Sequence, residues 1–412
     1  MIRIMYSLFC SAGLVILLAM CAAQEDSDIN VTRLSDRAIV FDGLETNVTA
    51  LLSSEGIVIV DTHCSPSIMA EIKKLIRREF GRDDITYVIN THGHSDHSGG
   101  NQACASSTIV GHQNCREFML HSPTDSPLEI LYLKDRLSRL NTRLGEVDRD
   151  SPEGKRTKAE IRLRTTILHD VEAGYRVAPP SVTFRDRYTL QLRDLTLNLI
   201  YCGRAHTDND ILVHVPEEGL LLTGDVFSSR SSLGFSVNRM ADVPRFLSSL
   251  DEILQAKEGI KHVIPGHGRP FAGSDIAALR DLVKEQYAQF EGKRSAAHYL
   301  EKVIEKSGID SGRHEFGRLR ARKTPEVYFL EEELSTLGGR LLGRGMVDEA
   351  IEVFKMLIQC FPNSALAYDD LGRAYVRKRA IEPAIDSYEK SLKIFPQNKE
   401  AQRALEMLRA AK

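Results

Sequence analysis

Short apolar runs that end in polar residues alternate with helical periodicity through the first two thirds of the chain. The runs 57–60 and 85–89 are rich in β-branched residues and close on Asp61 and Asn90, and residues 68–80 between them carry apolar positions at helical spacing. Strand, helix and strand with polar residues at the strand ends predict an α/β domain. Further strands are predicted at 195–201, 211–215, 220–223 and 262–265.

A change of pattern indicates an insertion into this α/β segment. From Ile130 to Val147, apolar residues are spaced three and four apart, which places them in one stripe on a helix. The sequence Ser151-Pro152-Glu153-Gly154 is typical of a turn, and a second helical stretch follows at 159–175. We therefore predict a helical-hairpin insert at about 126–175 that packs over or beside the site.

The C-terminal segment contains an internal repeat. Leu337-Gly338 recurs 34 residues later as Leu371-Gly372, and Phe361-Pro362 recurs as Phe395-Pro396. This spacing resembles the tetratricopeptide repeat, a pair of closely packed antiparallel helices. We expect an all-α repeat domain at 331–412 after a helical linker at 276–330. Because ~3 repeats are usually needed for stability, the repeats would lean on the linker or on a second copy of the chain.

Two roles for these repeats are equally open. They would bind a protein partner or mediate self-association, or they would serve structural packing alone.

The first residues are expected to be a targeting segment. Arg3 precedes an apolar run at 8–20 that is too short to span a bilayer, and Cys21-Ala22-Ala23 offers small residues for cleavage. We predict a signal peptide over 1–23 and export to the periplasm or the medium. Lipid attachment at Cys21 is the alternative. Contact with a membrane is expected if Cys21 is lipidated or if the signal is not cleaved.

Composition narrows the classes of function. The 412 residues are 42% hydrophobic and 27% charged, with a formal net charge of −3. The hydrophobic fraction is enough to form a sizeable core. The small net charge gives no overall attraction to nucleic acid, so we expect no nucleic-acid partner. Seven cysteines are too few for a disulfide scaffold, although Cys104 and Cys115 are candidates for one pair.

The strongest chemical signal follows the strand at 85–89. His92, His94, Asp96 and His97 fall within six residues. Imidazole nitrogen and carboxylate oxygen are good ligands for zinc, and a loop at a strand end can direct several of them to one point. An isolated His is more often a packed or surface residue, but this clustering favours a metal site.

The His-x-His-x-Asp-His pattern resembles the metallo-β-lactamase superfamily of binuclear metal hydrolases. Further motifs of that superfamily follow in order around Asp61, His206, Asp225 and His267. The resemblance covers about 31–271. It implies a four-layer αββα sandwich, here a hydrolase domain at 30–275, with the site at the loop edge between two sheets.

The resemblance also implies two metal ions held by seven side chains. The side chains expected to bind the first ion are His92, His94 and His206. Those expected to bind the second are Asp96, His97 and His267. Asp225 would bridge the ions, and Asp61 would orient ligands from behind. Asp96 would also orient the attacking hydroxide, which makes it the expected catalytic residue.

The implied reaction is hydrolysis. Two Zn²⁺ ions ~3.5–4 Å apart lower the pKa of a shared water and supply a metal-bound hydroxide, so no Ser or Cys nucleophile is needed. We predict an exported binuclear zinc hydrolase that acts on a small-molecule ester, lactone, thioester or amide-type substrate. Iron or manganese would suit the same ligands.

Three other functions are weighed against this one. Class B β-lactamase activity is favoured by export and by the segment 91–101, but those enzymes usually have Cys or Ser where this chain has Asp225. A repeat-based adaptor with an inert hydrolase domain would be expected to lose ligands, and all seven positions retain them. An iron-dependent oxidoreductase is the third alternative, but the intact ligand set, which includes His97, favours a hydrolytic pair of metal ions. Finally, His63 and His112 are expected in surface loops, and positions that line the pocket are the alternative for both.

Overall fold

The computed structural model describes residues 29–43, 45–121, 127–229, 234–235, 242–255, 259–288, 293–322 and 327–410. The predicted signal peptide at 1–23, including Cys21, lies outside these residues. Within the described ranges, no helix has the length and apolar character that crossing a bilayer requires.

Two mixed β-sheets form the centre of the α/β part. In the described residues the first sheet has seven strands, paired in chain order. They are β1 (Asn30–Arg33), β2 (Ala38–Asp42), β3 (Val48–Ser53), β4 (Gly56–Val60), β5 (Ile85–Ile89), β6 (Thr108–His112) and β7 (Val182–Phe184). Pairing is antiparallel from β1 to β4 and parallel from β4 to β7.

The second sheet has the strand order β14-β13-β11-β10-β9-β8, and β12 pairs with β11. Its strands are β8 (Arg187–Gln191), β9 (Thr196–Tyr201), β10 (Ile211–Val215), β11 (Leu220–Ser229), β12 (Gly234–Phe235), β13 (His262–Gly268) and β14 (Phe271–Ala272). Strands β11 and β13 run parallel, and the other described neighbours are antiparallel.

Strand β4 shows why the apolar runs of the sequence are continuous. Its side chains alternate, so that Val58 and Val60 lie in the core between the two sheets, whereas Ile57 and Ile59 face the opposite side. Both faces of the first sheet are therefore covered, and neither needs polar residues.

Helices cover the outer face of each sheet. Helix α1 (Pro66–Phe80) packs on the first sheet, and α6 (Val243–Leu254) and α7 (Asp275–Ala288) pack on the second. Two shorter helices, α2 (Ser95–Ser98) and α3 (Gln113–His121), lie near strand ends, and a 3₁₀ segment (Gly99–Cys104) follows α2. The predicted four-layer αββα sandwich is confirmed.

The insert forms a helical hairpin of α4 (Pro127–Glu146) and α5 (Pro152–Glu172). Helix α5 begins at Pro152, earlier than the predicted 159, because Ser151 Oγ accepts a hydrogen bond from Gly154 N at 3.0 Å and Pro152 takes the first helical position. Asp170 then ties the hairpin to α1, since its carboxylate accepts from Ser67 Oγ at 2.6 Å.

The described C-terminal region is almost entirely helical, as expected for repeats. Helix α8 (Ala296–Arg322) contains a break at Gly308, and a two-residue pair of strands, β15 (Arg294–Ser295) and β16 (Val327–Tyr328), flanks it. The following helices are α9 (Glu331–Gly343), α10 (Val347–Cys360), α11 (Ala365–Arg377), α12 (Ile381–Ile394) and α13 (Lys399–Ala410). Leu300 and Ile304 of α8 share one apolar core with Leu337 and Phe354, so the first helices of this region pack on the preceding helix.

The cysteines of the described region are free thiols. Cys104 and Cys115 are both buried and form no disulfide. Cys115 Sγ instead lies 3.8 Å from Met119 Sδ within α3. Both Cys104 and Cys115 are part of the apolar core.

Candidate metal centre

Strand ends of both sheets converge on the predicted ligands. His92 and His94 follow β5, Asp96 and His97 lie in α2, and His206 lies in the loop between β9 and β10. The remaining two, Asp225 and His267, lie within β11 and β13, which extend beyond the predicted 220–223 and 262–265. The pairing of these two strands shifts register on either side of Gly224, where the φ angle is 51°. This irregularity lies directly before Asp225.

Four of the side chains form a first group, in which the ligand-type atoms all lie within 4.8 Å of one another. His94 Nδ1 is 3.1 Å from His92 Nε2 and 3.3 Å from His206 Nε2. Asp225 completes the group, with Oδ2 at 3.6 Å from His206 Nε2. Three imidazoles and one carboxylate at this spacing suit a four-coordinate metal ion.

A second group adjoins the first and shares Asp225 with it. Asp96, His97, Asp225 and His267 also offer ligand-type atoms within 4.8 Å. His267 Nε2 lies 3.2 Å from Asp96 Oδ2 and 3.2 Å from Asp225 Oδ2. His97 Nε2 lies 3.2 Å from Asp225 Oδ1. The structure thus brings all seven predicted positions into two adjoining groups.

Hydrogen bonds from behind orient two of the imidazoles. His97 Nδ1 donates to Asp61 Oδ2 at 2.8 Å, and His267 Nδ1 donates to the carbonyl oxygen of Glu45 at 2.6 Å. Asp61 is itself held by Thr91, whose N and Oγ1 donate at 2.8 and 2.7 Å. Because each Nδ1 donates away from the site, each Nε2 faces the centre and would be the atom that coordinates a metal ion.

Two glycines allow the ligand segments to pack backbone against backbone. A Cβ atom on Gly100 would lie 2.0 Å from the carbonyl oxygen of Thr62, and one on Gly99 would lie 2.4 Å from that of Cys64. Thr62 N also donates to the carbonyl oxygen of His97 at 2.7 Å. The segment after Asp61 is therefore in direct contact with the segment that contains α2.

The electrostatics of the site favour a cation. Burial lowers the pKa of His94 to about 4 and holds the pKa of His92 well below its usual value, so both rings are neutral, as metal ligands must be. Burial opposes ionisation of Asp225, but the adjacent imidazoles of His267 and His97 hold its pKa well below the usual range. Burial likewise lowers the pKa of His267, but hydrogen bonds to Asp225 and Asp96 outweigh it and raise that pKa to about 9.

Two buried atoms test whether metal ions fit. His97 Nε2 and Asp225 Oδ1 are enclosed and have no hydrogen-bond partner among the described residues. Buried polar atoms without partners are costly and rare. Divalent ions would coordinate both atoms, so the residues present fit a binuclear centre; zinc, iron and manganese all accept such ligands.

Two cavities reach this centre from different sides. The first, of about 440 Å³, extends beneath the insert and contacts His94 and Asp96. Its apolar lining includes Phe118, Met119, Leu133, Ile167 and Val171. The second, of about 280 Å³, lies between the His206 loop and the C-terminal helices, and its lining includes His94, Phe118, His206, Arg340 and Arg344.

Comparison with known proteins identifies the family. The sequence model of the Metallo-beta-lactamase superfamily matches residues 41–267, which is more than half of the chain. The chain belongs to the metallo-β-lactamase superfamily.

The superfamily relatives are distant. The type 2 metallo-beta-lactamase of Bacillus cereus is 23% identical over 243 residues, which cover 59% of this chain and 75% of that enzyme. The type 2 enzyme of Bacteroides fragilis is 25% identical over 114 residues, 28% of this chain and only 45% of the enzyme. The solved metallo-beta-lactamase of Pontibacter korlensis is 16% identical with a TM-score of 0.42, covering 63% of this chain and 100% of that one.

Two predictions about histidines in this metallo-β-lactamase domain are wrong. His63 and His112 were expected in surface loops, but both are buried. The ring of His112 stacks on Tyr201 with centroids 4.0 Å apart, and burial lowers the pKa of His63 to about 3. Neither residue belongs to the two metal groups.

Phe118 is the pocket residue that the sequence did not reveal. Its ring lies 5.6 Å from that of His94, and it lines both cavities. The position of Phe118 on a short helix after β6 carries no local signal of this role, because the contact depends on how α3 packs.

Proposed function

We propose that this protein is an exported binuclear zinc hydrolase that cleaves an ester, lactone, thioester or amide-type bond in a small molecule with an apolar portion. The observation that carries the proposal is the pair of ligand groups that share Asp225. The buried and unpartnered His97 Nε2 and Asp225 Oδ1 support metal binding at both. Export is inferred from the N-terminal segment alone.

Two divalent ions held here would lower the pKa of a coordinated water and stabilise the negative charge that develops on the substrate. Asp96 would orient that water, because its side chain is 30% exposed and lines the cavity beneath the insert. Thr46 Oγ1 donates to Asp96 Oδ2 at 3.3 Å and steadies this carboxylate. Asp61 keeps the proton of His97 on Nδ1, away from the centre.

The cavity beneath the insert supports the substrate class. Ile167 and Val171 of α5 and Phe118 of α3 give it an apolar wall next to Asp96. Arg164 in the same wall is neutralised by Glu45, with which it forms an ion pair at 2.9 Å. An acyl or aromatic portion of the substrate would therefore be bound here by burial of apolar surface.

β-Lactam hydrolysis is the second candidate, because the relatives named above are type 2 metallo-beta-lactamases. Asp225 argues against it, since the lactamases that this segment resembles usually have Cys or Ser at that position. An adaptor with an inert domain is disfavoured by the complete set of ligand-type residues.

Metal content and a substrate panel test the proposal. We expect the mature chain to bind two zinc ions and to hydrolyse an aryl ester, a lactone or a thioester faster than a chromogenic cephalosporin. Asp225→Ala should abolish turnover. Asp194→Asn is the control and should retain turnover, because the Asp194 carboxylate pairs with Arg37 on a turn. Fewer than two metal ions per chain, or full activity of the Asp225 variant, would refute the binuclear hydrolase.

The cavity is tested separately with a series of aryl esters of increasing acyl length. Ile167→Asp should raise KM for the long esters and leave the acetyl ester unchanged. An equal effect on every ester would show that the cavity does not bind the acyl portion. The mass of the exported chain distinguishes cleavage after Ala23 from lipidation at Cys21.

A further inference from the structure

We propose that the C-terminal helices hold the His206 loop, the segment 202–210 between β9 and β10, in its ligand geometry. The helical region would then be part of the catalytic unit and not a separate binding module. The inference rests on the proposed function only in taking His206 as a metal ligand.

The first contact lies two residues after His206. Asp208 forms an ion pair with Arg344, which directly follows α9. The side chains are 6% and 21% exposed, and Arg344 Nη1 also pairs with Glu305 of α8 at 2.9 Å. Arg344 thus connects the loop to two helices of the C-terminal region.

The second contact lies two residues before His206. Arg204 forms an ion pair with Glu301 of α8, whose side chain is 1% exposed. Arg340 Nη2 of α9 approaches the same carboxylate oxygen at 3.1 Å. Arg204 Nη1 also lies 3.0 Å from His298 Nδ1, which accepts its hydrogen bond.

These contacts define one orientation of the His206 loop, because the order of charges along the loop matches the order of opposite charges on the helices. The loop presents a cation, Arg204, and then an anion, Asp208, on either side of His206, and the helices present Glu301 and Arg344 to match. The matched order of charges favours one placement of the loop against the helices, and removal of one partner leaves a largely buried charge uncompensated.

A third contact reaches the other ligand loop through Phe118. A Cβ atom on Gly343, at the end of α9, would lie 2.8 Å from Phe118 Cε2, and one on Gly93 would lie 2.8 Å from Phe118 Cδ1. The ring is therefore enclosed between the helical region and the loop that carries His94. Helix α9 contacts the metal centre by this apolar path as well.

The loop also has anchors of its own within the α/β domain. Thr207 N donates to Asp210 Oδ2 at 2.6 Å, and Gly93 N donates to Asn209 Oδ1 at 2.8 Å. Loss of the helical contacts should therefore weaken the first metal group without abolishing it. Loss of residues that orient metal ligands typically weakens metal affinity about 10- to 100-fold.

The test uses the full chain with Arg344→Gln and measures the affinity of each zinc ion by competition with a chromophoric chelator. We expect one zinc ion to bind about 10-fold more weakly and the other to change less than about 2-fold. Arg318→Gln is the matched control, because Arg318 pairs with Glu315 of its own helix at 2.6 Å. The control should retain both affinities.

A second variant approaches the same pair from the loop. Asp208→Asn should give the same loss of zinc affinity, and the double variant should bind zinc no more weakly than either single variant, because both changes break the same Asp208–Arg344 ion pair. Circular dichroism with saturating zinc should show that each variant is folded. Additive losses, or two unchanged zinc affinities in folded Arg344→Gln, would overturn the inference. If the unmodified chain binds fewer than two zinc ions, the proposed function itself fails.

Discussion

Replacement of Asp61 by Asn would change the second metal group while preserving the size of the side chain. Asp61 Oδ2 accepts from His97 Nδ1 at 2.8 Å, and Oδ1 accepts from Thr91 N at 2.8 Å. Asn has one acceptor oxygen and an amide donor in place of the two acceptors. If the side-chain oxygen of the new Asn continues to accept from Thr91 N, its NH₂ group faces Nδ1 of His97. Because Nδ1 must then accept a hydrogen bond, the ring carries its proton on Nε2. The φ angle of 58° at this position suits Asn, so little backbone strain is added.

The size of the expected loss of metal affinity follows from the protonation of His97 Nε2. His97 Nε2 lies 3.2 Å from Asp225 Oδ1 and 3.5 Å from Asp96 Oδ2, and a proton there removes the lone pair that binds metal. Loss of an orienting partner costs about 10- to 100-fold in metal affinity, or about 1.4–2.8 kcal/mol. The first metal group should lose less, because it reaches Asp61 only through Thr91 Oγ1, at 3.2 Å from His92 Nδ1.

Titration with zinc against a chromophoric chelator measures both affinities, and a thermal melt with excess zinc shows whether the variant is folded. Asp194→Asn serves as the control, since Asp194 pairs with Arg37 on a surface turn. Two zinc affinities within about 2-fold of those of the unmodified protein would refute the assignment of Asp61 as the residue that sets the tautomer of His97.

Three further outcomes are expected. Removal of metal with a chelator should end hydrolysis and lower Tm, because ligand at about 1,000 times its Kd stabilises the folded state by ~4 kcal/mol; an unchanged Tm would mean that no metal is bound in the native protein. Phe246→Ala should lower the free energy of unfolding by about 3–5 kcal/mol in urea, since this side chain is fully buried between the second sheet and its helices, and a loss below ~1 kcal/mol would contradict that packing. Ser151→Ala should cost about 1 kcal/mol by removing the cap of α5, with metal stoichiometry unchanged; a variant as stable as the unmodified chain would show that the cap is not needed.

The strands of the sandwich and the first four ligand positions were predictable because their signals are local, whereas His206, Asp225 and His267 were predicted only through the resemblance to the superfamily. Strands such as β4 have both faces covered, so an uninterrupted apolar run is visible in the sequence. His92, His94, Asp96 and His97 are close in the chain, and the spacing alone indicates a metal site.

Features that depend on packing were not predictable. The sequence Ser151-Pro152-Glu153-Gly154 is compatible both with a loop turn and with the start of a helix, and the contacts of α5 decide between the two. His63 and His112 are polar residues beside strand ends, which gave no sign of their burial. The pairing of Asp208 with Arg344 joins residues 136 positions apart, and no sequence period relates them.

The close approach of Gly99 and Gly100 to the segment 62–64 bears on laboratory evolution of this protein. A side chain at position 100 would displace the carbonyl of Thr62, whose own N–H already bonds to His97. Libraries that randomise these glycines would therefore be dominated by clones that have lost metal or do not fold. Diversity placed at Leu133 or Ile167 changes the wall of one cavity and leaves the ligand backbone intact. Altered substrate range should arise from the hairpin, while positions 99 and 100 stay glycine.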